Sequence, residues 1–429
     1  MAHGNTSKDI EIVMGNSVAE RVLVFGDDMR IFLAVVRSLG RAGKEVHAAP
    51  LNWHSPALKS KYISVVHYLP RYSDDPMAWR TSVLDLLRTH SFKLVLPCCD
   101  DRAILPFHIH RDEFADFRVA IPNPMAMDLL FDKGRTRELC VELGIPIVGG
   151  ARVNSQDTAQ ALVAAFGLPL VLKPRKSYWI DRLDASGKVS IVETEPELQK
   201  LLSTLQEPSR YLVEAYFEGV GVGVSVLAEN GKVLHAFQHR RLREGRGGSS
   251  SYRVSEPVNA ELYRASEKIC QHTNLTGVCM FEFRWNPTSH DWVLLETNAR
   301  FWGSSPLPLS LAVDFPRYLY DLLVHQRQHA PVRYPFGIKS RNVVLDGFNL
   351  FAGVRHLRRD QLGAWIADLG NYLTQPLRWL SGRERSDTFV RDDLRPALWE
   401  CALLLRSLGH KLTRNRYPQP KRRRSQQIA

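Results

Sequence analysis

The chain alternates short unbroken apolar runs with longer stretches in which apolar residues recur every three to four positions, the pattern of buried strands between amphipathic helices. RVLVFGDD (21–28) is an apolar strand ending in a glycine and two acids, IFLAVVRSLGRAG (31–43) has the helical period, and VHAAP (46–50) is a second strand. The chain therefore opens as a βαβ unit. A helix over 79–89 leads into KLVLPCCDD (93–101), a buried strand whose carboxyl end carries Asp100 and Asp101. Ligands sit at such ends in open parallel sheets, and helix capping or solvation is the alternative use of the two acids. GDD lacks the G-x-G-x-x-G spacing, which argues against a Rossmann dehydrogenase. Further on, the spacing predicts a helix over 128–143 stopped by Gly144, a strand PLVLKP (169–174) ending near Lys173, and a strand RYLVEAY (210–216). Two more strands flank the turn Glu229-Asn230-Gly231. Mixed α/β patterning runs to about residue 324; beyond 331 the pattern is helical and amphipathic, most clearly over 392–409.

Two strand patterns stand out for their polar positions. GVCMFEFRW (277–285) and DWVLLETNAR (291–300) flank NPTSH, a turn sequence, and so read as a hairpin. Centred near Ser289, it sets Trp285 opposite Val293, Arg284 opposite Leu294 and Glu282 opposite Glu296. Glu296, Asn298 and Arg300 recur at every second position and so share one face. Two carboxylates directly opposite each other destabilise a sheet by roughly 0.2–1 kcal/mol unless something compensates. A divalent cation compensates naturally, because hard oxygen ligands suit Mg²⁺ and leave room for phosphate oxygens. An exposed polar face is the alternative, and Phe281, Phe283, Leu294 and Leu295 beside it argue against exposure. Arg300 adds a fork able to hold a carboxylate or phosphate, and a metal between carboxylates beside an arginine describes a phosphoryl-transfer site.

Composition narrows the class. With 429 residues, 44% hydrophobic and 24% charged, the chain is long enough for about two to four domains. Its longest stretch free of formal charge, residues 158–172, is too short to span a membrane. The polar N-terminal stretch lacks the apolar core of a secretory signal and reads as a disordered lead, and six cysteines without framework spacing read as reduced thiols, so a cytoplasmic location is expected. Seven of the net +12 charges fall in residues 411–429, which contain no acid. The excess is thus mostly a basic tail, either simply solvated or able to contact anionic membrane or nucleic acid. His108 and His110 lack a nearby third ligand and read as surface residues.

Taken together, the order and spacing of these segments over residues 22–324 resemble the ATP-grasp carboxylate-amine ligases, whose members include biotin carboxylase and the large subunit of carbamoyl phosphate synthase. FWGSSPLPLSLAVDFPRYLYDLL (301–323) looks like a bacterial subgroup in which R-F-W-G-S and D-F-P recur. The resemblance implies an α/β protein: a disordered lead (1–20), a Rossmann-like pre-ATP-grasp domain (21–125), an α+β ATP-grasp domain (126–330) hinged near 214–217, a helical C-terminal extension (331–410) and a disordered basic tail (411–429). It implies that Glu282, Glu296 and Asn298 hold the Mg²⁺ of MgATP, with Mn²⁺ as the alternative ion, and that Arg300 and Lys173 are catalytic. Lys133, following Asp132, and Lys173 would meet the phosphates. Glu214, Ala215 and Tyr216 would form the hinge whose backbone binds the adenine edge, and Glu218 would stand in for the usual ribose-binding acid, where this chain has Val220 and Gly221. Gly247 and Gly248, within RRLREGRGGSSS (240–251), would cradle phosphate.

The implied reaction converts a carboxylate to an acylphosphate, which an amine or other nucleophile then attacks; small-molecule carboxylate and amine are the expected partners, with a homodimer as an option. A nucleotide-binding protein without ligase activity that docks anionic surfaces or partners through its tail is the alternative. Biotin carboxylase proper fits poorly, because the chain has no M-K-M carrier sequence.

Overall fold

The computed structural model describes residues 19–245, 250–352 and 361–416. The N-terminal part is a parallel four-stranded sheet in the order Ile63–Val66, Glu45–Ala49, Arg21–Phe25, Phe92–Pro97. Its strands read as continuous apolar runs because both faces are covered. Val22 and Val24 pack with helix Ile31–Arg41, whereas Leu23 and Phe25 pack with Trp79, Val83 and Phe107 from helices Pro76–Thr89 and Asp101–Ile109. Asp75 and Asp100 cap those last two helices, each accepting a backbone N–H of the first turn. Asp100 thus caps a helix, and it also lines the cavity described below.

The central sheet has seven strands in the order Trp292–Asn298, Gly277–Trp285, Val220–Glu229, Lys232–Glu244, Ser250–Glu256, Lys339–Arg341, Glu384–Ser386. Asn230 (φ 48°) and Gly231 (φ 80°) both adopt the left-handed conformation that a two-residue hairpin turn requires, as the sequence predicts. A smaller antiparallel sheet, Gly150–Arg152, Tyr211–Ala215, Leu170–Pro174 and Ser190–Val192, carries helices Ala159–Phe166 and Glu195–Ser203 over its own small core. Phe301, Trp302 and Phe315 lie in a core shared by the parallel sheet and the central sheet, so much of the F-W-G-S and D-F-P signature locks these two units together.

Three segments differ from the sequence reading. The helix expected over 128–143 is two helices, Pro124–Leu130 and Lys133–Glu142, because Asp132 leaves helical geometry to cap the second and is held there by Arg175 at 2.7 Å. Of the glycine-rich loop expected over 240–251, residues 240–244 complete one strand and Ser250 opens the next, and 246–249 lie outside the described residues. The C-terminal segment adds two strands to the central sheet besides its helices. Those strands, KSR and ERS, are three residues long and polar, so no apolar period announces them. Burial is satisfied instead by ion pairs: Arg341 meets Asp346 at 2.7 Å and Glu384 at 2.9 Å, and Arg37 of the N-terminal unit meets Asp393 at 2.9 Å. The last helix begins at Arg395, just after the paired acids Asp392 and Asp393, and runs to Arg416. Among the described residues no helix is long and apolar enough to cross a membrane, and all six cysteines are free thiols.

Candidate active site

The hairpin 277–298 brings the two glutamates together by an irregular route. Trp285 pairs with Trp292, Arg284 with Val293 and Phe283 with Leu294, one position out from the register expected from the turn. The offset is set at the turn, where Asn286 accepts the amides of Thr288 and Ser289 and its own amide bonds Asp291 O at 2.8 Å. Leu295 then bulges, and from there Glu282 faces Glu296, Phe281 faces Thr297 and Met280 faces Asn298. The bulged Leu295 turns its carbonyl to Lys173, which donates at 3.1 Å.

Around this pair the charges are sorted. Glu282 accepts Arg241 Nη2 at 2.5 Å and the Asn298 amide at 3.2 Å. Glu296 lies 3.5 Å from Lys133 Nζ. Burial pushes Glu282 up, and the neighbouring Glu296 adds to that against the opposing pull of Arg241. Burial acts on Glu296 as well, but Lys133, Lys173 and Arg300 outweigh it and hold its carboxyl below the ordinary value. One carboxylate thus stays charged while its partner is the easier to protonate.

Arg300 is not on the strand face, because the strand ends at Asn298; it turns to Asp101, with Nε donating at 2.7 Å. It still lines the same cavity as Glu282, Glu296 and Asn298, a space of about 510 Å³ between the central sheet and the carboxyl ends of the parallel strands. Asp27, Asp28, Arg30 and Arg241 line it too, and sequence reasoning did not single them out. The signal for Arg241 lay inside RRLRE, where strand alternation would have aimed it at Glu282. Gly221 and Gly223, which follow the hinge, make that approach feasible: a Cβ at Gly221 would fall 2.6 Å from Arg241 Cδ, and one at Gly223 would fall 2.3 Å from the His239 ring. The glycines clear the sheet surface for two cationic or polar side chains.

Lys173 is buried and pairs with Glu214 at 2.6 Å, and Arg137 holds the same carboxylate at 2.9 Å. This cluster ties the small sheet to helix Lys133–Glu142, and the bond from Lys173 to Leu295 O ties it to the central sheet. At the hinge, the Ala215 amide bonds Gly149 O and the Tyr216 amide bonds Pro169 O, so both N–H groups are engaged within the small sheet. Glu218 is exposed in the connection between Ala215 and Val220. Gly247 and Gly248 lie outside the described residues. His110 bonds Tyr72 and Glu113, and among the described residues no group of three His, Cys, Asp or Glu side chains is placed to hold a metal. Glu282, Glu296 and Asn298 are nevertheless all hard oxygen donors converging on one cavity wall, which fits Mg²⁺ better than a softer ion.

Residues 207–344 match the family model described as ATP-grasp in the biosynthetic pathway with Ter operon. The chain is similar to the D-aspartate ligase of Enterococcus faecium, with 24% identity over 335 residues that cover 73% of this chain and 78% of the relative. In structure it is similar to the biotin carboxylase domain of Hydrogenobacter thermophilus 2-oxoglutarate carboxylase in complex with MgADP and bicarbonate, with a TM-score of 0.58 and 17% identity over 75% of this chain and 73% of the other. It is also similar to Staphylococcus aureus N5-carboxyaminoimidazole synthetase complexed with ADP, with a TM-score of 0.57 and 16% identity over 74% of this chain and 81% of the other. The chain carries an ATP-grasp family domain, on the ATP-grasp fold and preceded by a parallel N-terminal sheet.

Proposed function

We propose that this protein is an ATP-dependent ligase that activates a carboxylate as an acylphosphate and passes the acyl group to an amine. The observation that carries the proposal is the facing pair Glu282 and Glu296 with Asn298 beside it, surrounded by Arg241, Lys133, Lys173 and Arg300. Bound between these oxygens, Mg²⁺ would neutralise charge on the nucleotide phosphates. The chain's own cations do the rest. Lys133 and Lys173 would meet phosphate oxygens as point charges, with Lys173 exchanging its contact to Glu214 for the nucleotide. Arg300, oriented by Asp101, would hold the substrate carboxylate with its oxygen directed at the γ-phosphorus. That oxygen forms the new bond to phosphorus as ADP leaves; the amine then attacks the acyl carbon, phosphate departs, and the amine loses a proton.

A second cavity of about 290 Å³ opens from the first, sharing Asp27 and Arg102, and is walled by Phe25, Leu69 and Trp79. It is our choice for the bulk of the carboxylate or amine substrate. The similarity to a D-aspartate ligase supports amino acids as the first compounds to try.

The test is ADP release from MgATP across a panel of D- and L-amino acids, offered singly and in pairs with amines. A pair that raises release well above the ATP-only rate and yields an amide supports the proposal. Absence of stimulation by every pair, with ATP bound, favours a nucleotide-binding protein without ligase activity.

A further inference from the structure

The C-terminal helices present an apolar surface that the other described residues leave uncovered. Helix Leu362–Leu373 has eight apolar residues among twelve, yet none of its residues is buried. Leu362, Ile366 and Leu373, at spacings that stack on one helical face, are all exposed, Leu373 by 66%. Helix Gln375–Leu380 follows at once with Leu377 68% and Leu380 61% exposed. The last helix, Arg395–Arg416, packs against the turn Pro56–Lys59 but leaves Leu398 and Leu405, seven residues apart, in solvent. These helices adjoin: Arg391, just before the last helix, donates to Leu380 O and stacks on Trp379. Soluble monomers rarely leave so much large apolar surface together without a partner.

Charge says which partner fits. Arg383, Arg391, Arg395 and Arg406 are exposed around this surface. The exposed acids in the described part of the region, Asp368 and Asp392, are each paired, with Arg243 at 2.9 Å and Arg41 at 2.7 Å. Residues 411–429, of which 411–416 close the last helix, contain seven Lys and Arg and no acid. A second copy seated face to face would bring two such basic sets together, because a two-fold interface uses the same patch twice. Apolar helical faces ringed by arginines, with Trp379 and Trp399 near the polar boundary, match an interface that is greasy below and anionic above.

We propose that helices 362–373 and 375–380, with the face of the last helix that carries Leu398 and Leu405, lie in the headgroup region of an anionic membrane, with the basic tail held on its surface. The protein is then peripherally bound to the membrane, and the inference stands independently of the reaction proposed.

Co-sedimentation of the full chain with vesicles tests it. Vesicles of equal phosphatidylglycerol and phosphatidylcholine should take down the protein at least tenfold more strongly than phosphatidylcholine alone, and the difference should shrink in 0.5 M salt. Leu373→Glu with Leu377→Glu should reduce anionic binding at least tenfold, and removal of residues 417–429 should reduce it several-fold, both with unchanged ATP binding. Equal binding by the Leu373→Glu, Leu377→Glu protein would overturn the proposal. So would failure of the wild type to bind either vesicle, whether it is then found as a dimer that the leucine changes dissociate or as a complex with duplex DNA that they leave intact.

Discussion

Glu282 and Glu296 face each other because Leu295 bulges out of the ladder; if Leu295 paired regularly, the register set at the Asn286 turn would place it opposite Glu282 and carry Glu296 past. The same bulge hands the Leu295 carbonyl to Lys173, so one irregularity positions both the carboxylate pair proposed to hold the metal and the lysine proposed to meet phosphate. Deleting Leu295 should therefore keep Glu296 opposite Glu282 but take away the acceptor of Lys173, so the folded protein should retain Mg²⁺ binding and lose ATP affinity, read by far-UV circular dichroism and by metal and nucleotide titrations.

Acid should weaken metal binding earlier than an ordinary carboxylate pair would. Burial and Glu296 raise Glu282 above its usual 4.5, and a metal must displace any proton it holds. Affinity for Mg²⁺ should be full well above that raised value and fall as pH drops through it, so the decline begins on the alkaline side of 4.5. In Glu282→Gln the residual affinity should be weak and nearly independent of pH over the same range, as calorimetric titration would show.

Removing one side of the buried Lys173–Glu214 pair should cost stability. Glu214→Ala leaves Lys173 and Arg137 with backbone carbonyls but without their carboxylate, and breaking such buried pairs typically costs about 3–5 kcal/mol. Glu214→Gln keeps the shape and part of the hydrogen bonding and should cost less. Urea unfolding of the two variants separates these outcomes.

Asp393→Ala should be similarly severe, by about 3–5 kcal/mol, because Asp393 also accepts Ser60 Oγ and the Lys61 amide besides Arg37. The loss should appear as separation of the C-terminal segment from the N-terminal unit, seen as faster amide exchange in residues 56–61 and 384–398.

Glu400 on the last helix offers a pH signature. Burial, with Asp28 adding, raises it to about 7, and its Oε2 has no hydrogen-bond partner among the described residues. Because the folded-state value lies above the unfolded one, the stability it contributes is present at low pH and is lost as pH rises through about 7. Glu400→Gln should flatten that decline between pH 5 and 8 in thermal melts.

Much of the fold was legible because its strands are apolar runs with caps and turn residues at their ends, as in 21–25 and 220–244. The paired carboxylates were legible too, although the expected register held at residues 280–282 and was one position out nearer the turn, where the bulge had not yet corrected it. What was not legible depends on contacts distant in sequence. Arg300 needed Asp101 to turn it off the strand, Arg241 needed Gly221 to lie flat, and KSR and ERS are polar strands held by buried ion pairs.

The account rests on Glu282 and Glu296 sharing the metal of the nucleotide, and electron paramagnetic resonance of Mn²⁺ in the presence of ATP tests that most directly. The wild type should bind MnATP with a spectrum distinct from free MnATP. Glu296→Gln and Glu282→Gln should each weaken that binding by a hundredfold or more while melting as folded proteins. MnATP binding with wild-type affinity and an unchanged spectrum in both variants would contradict the account.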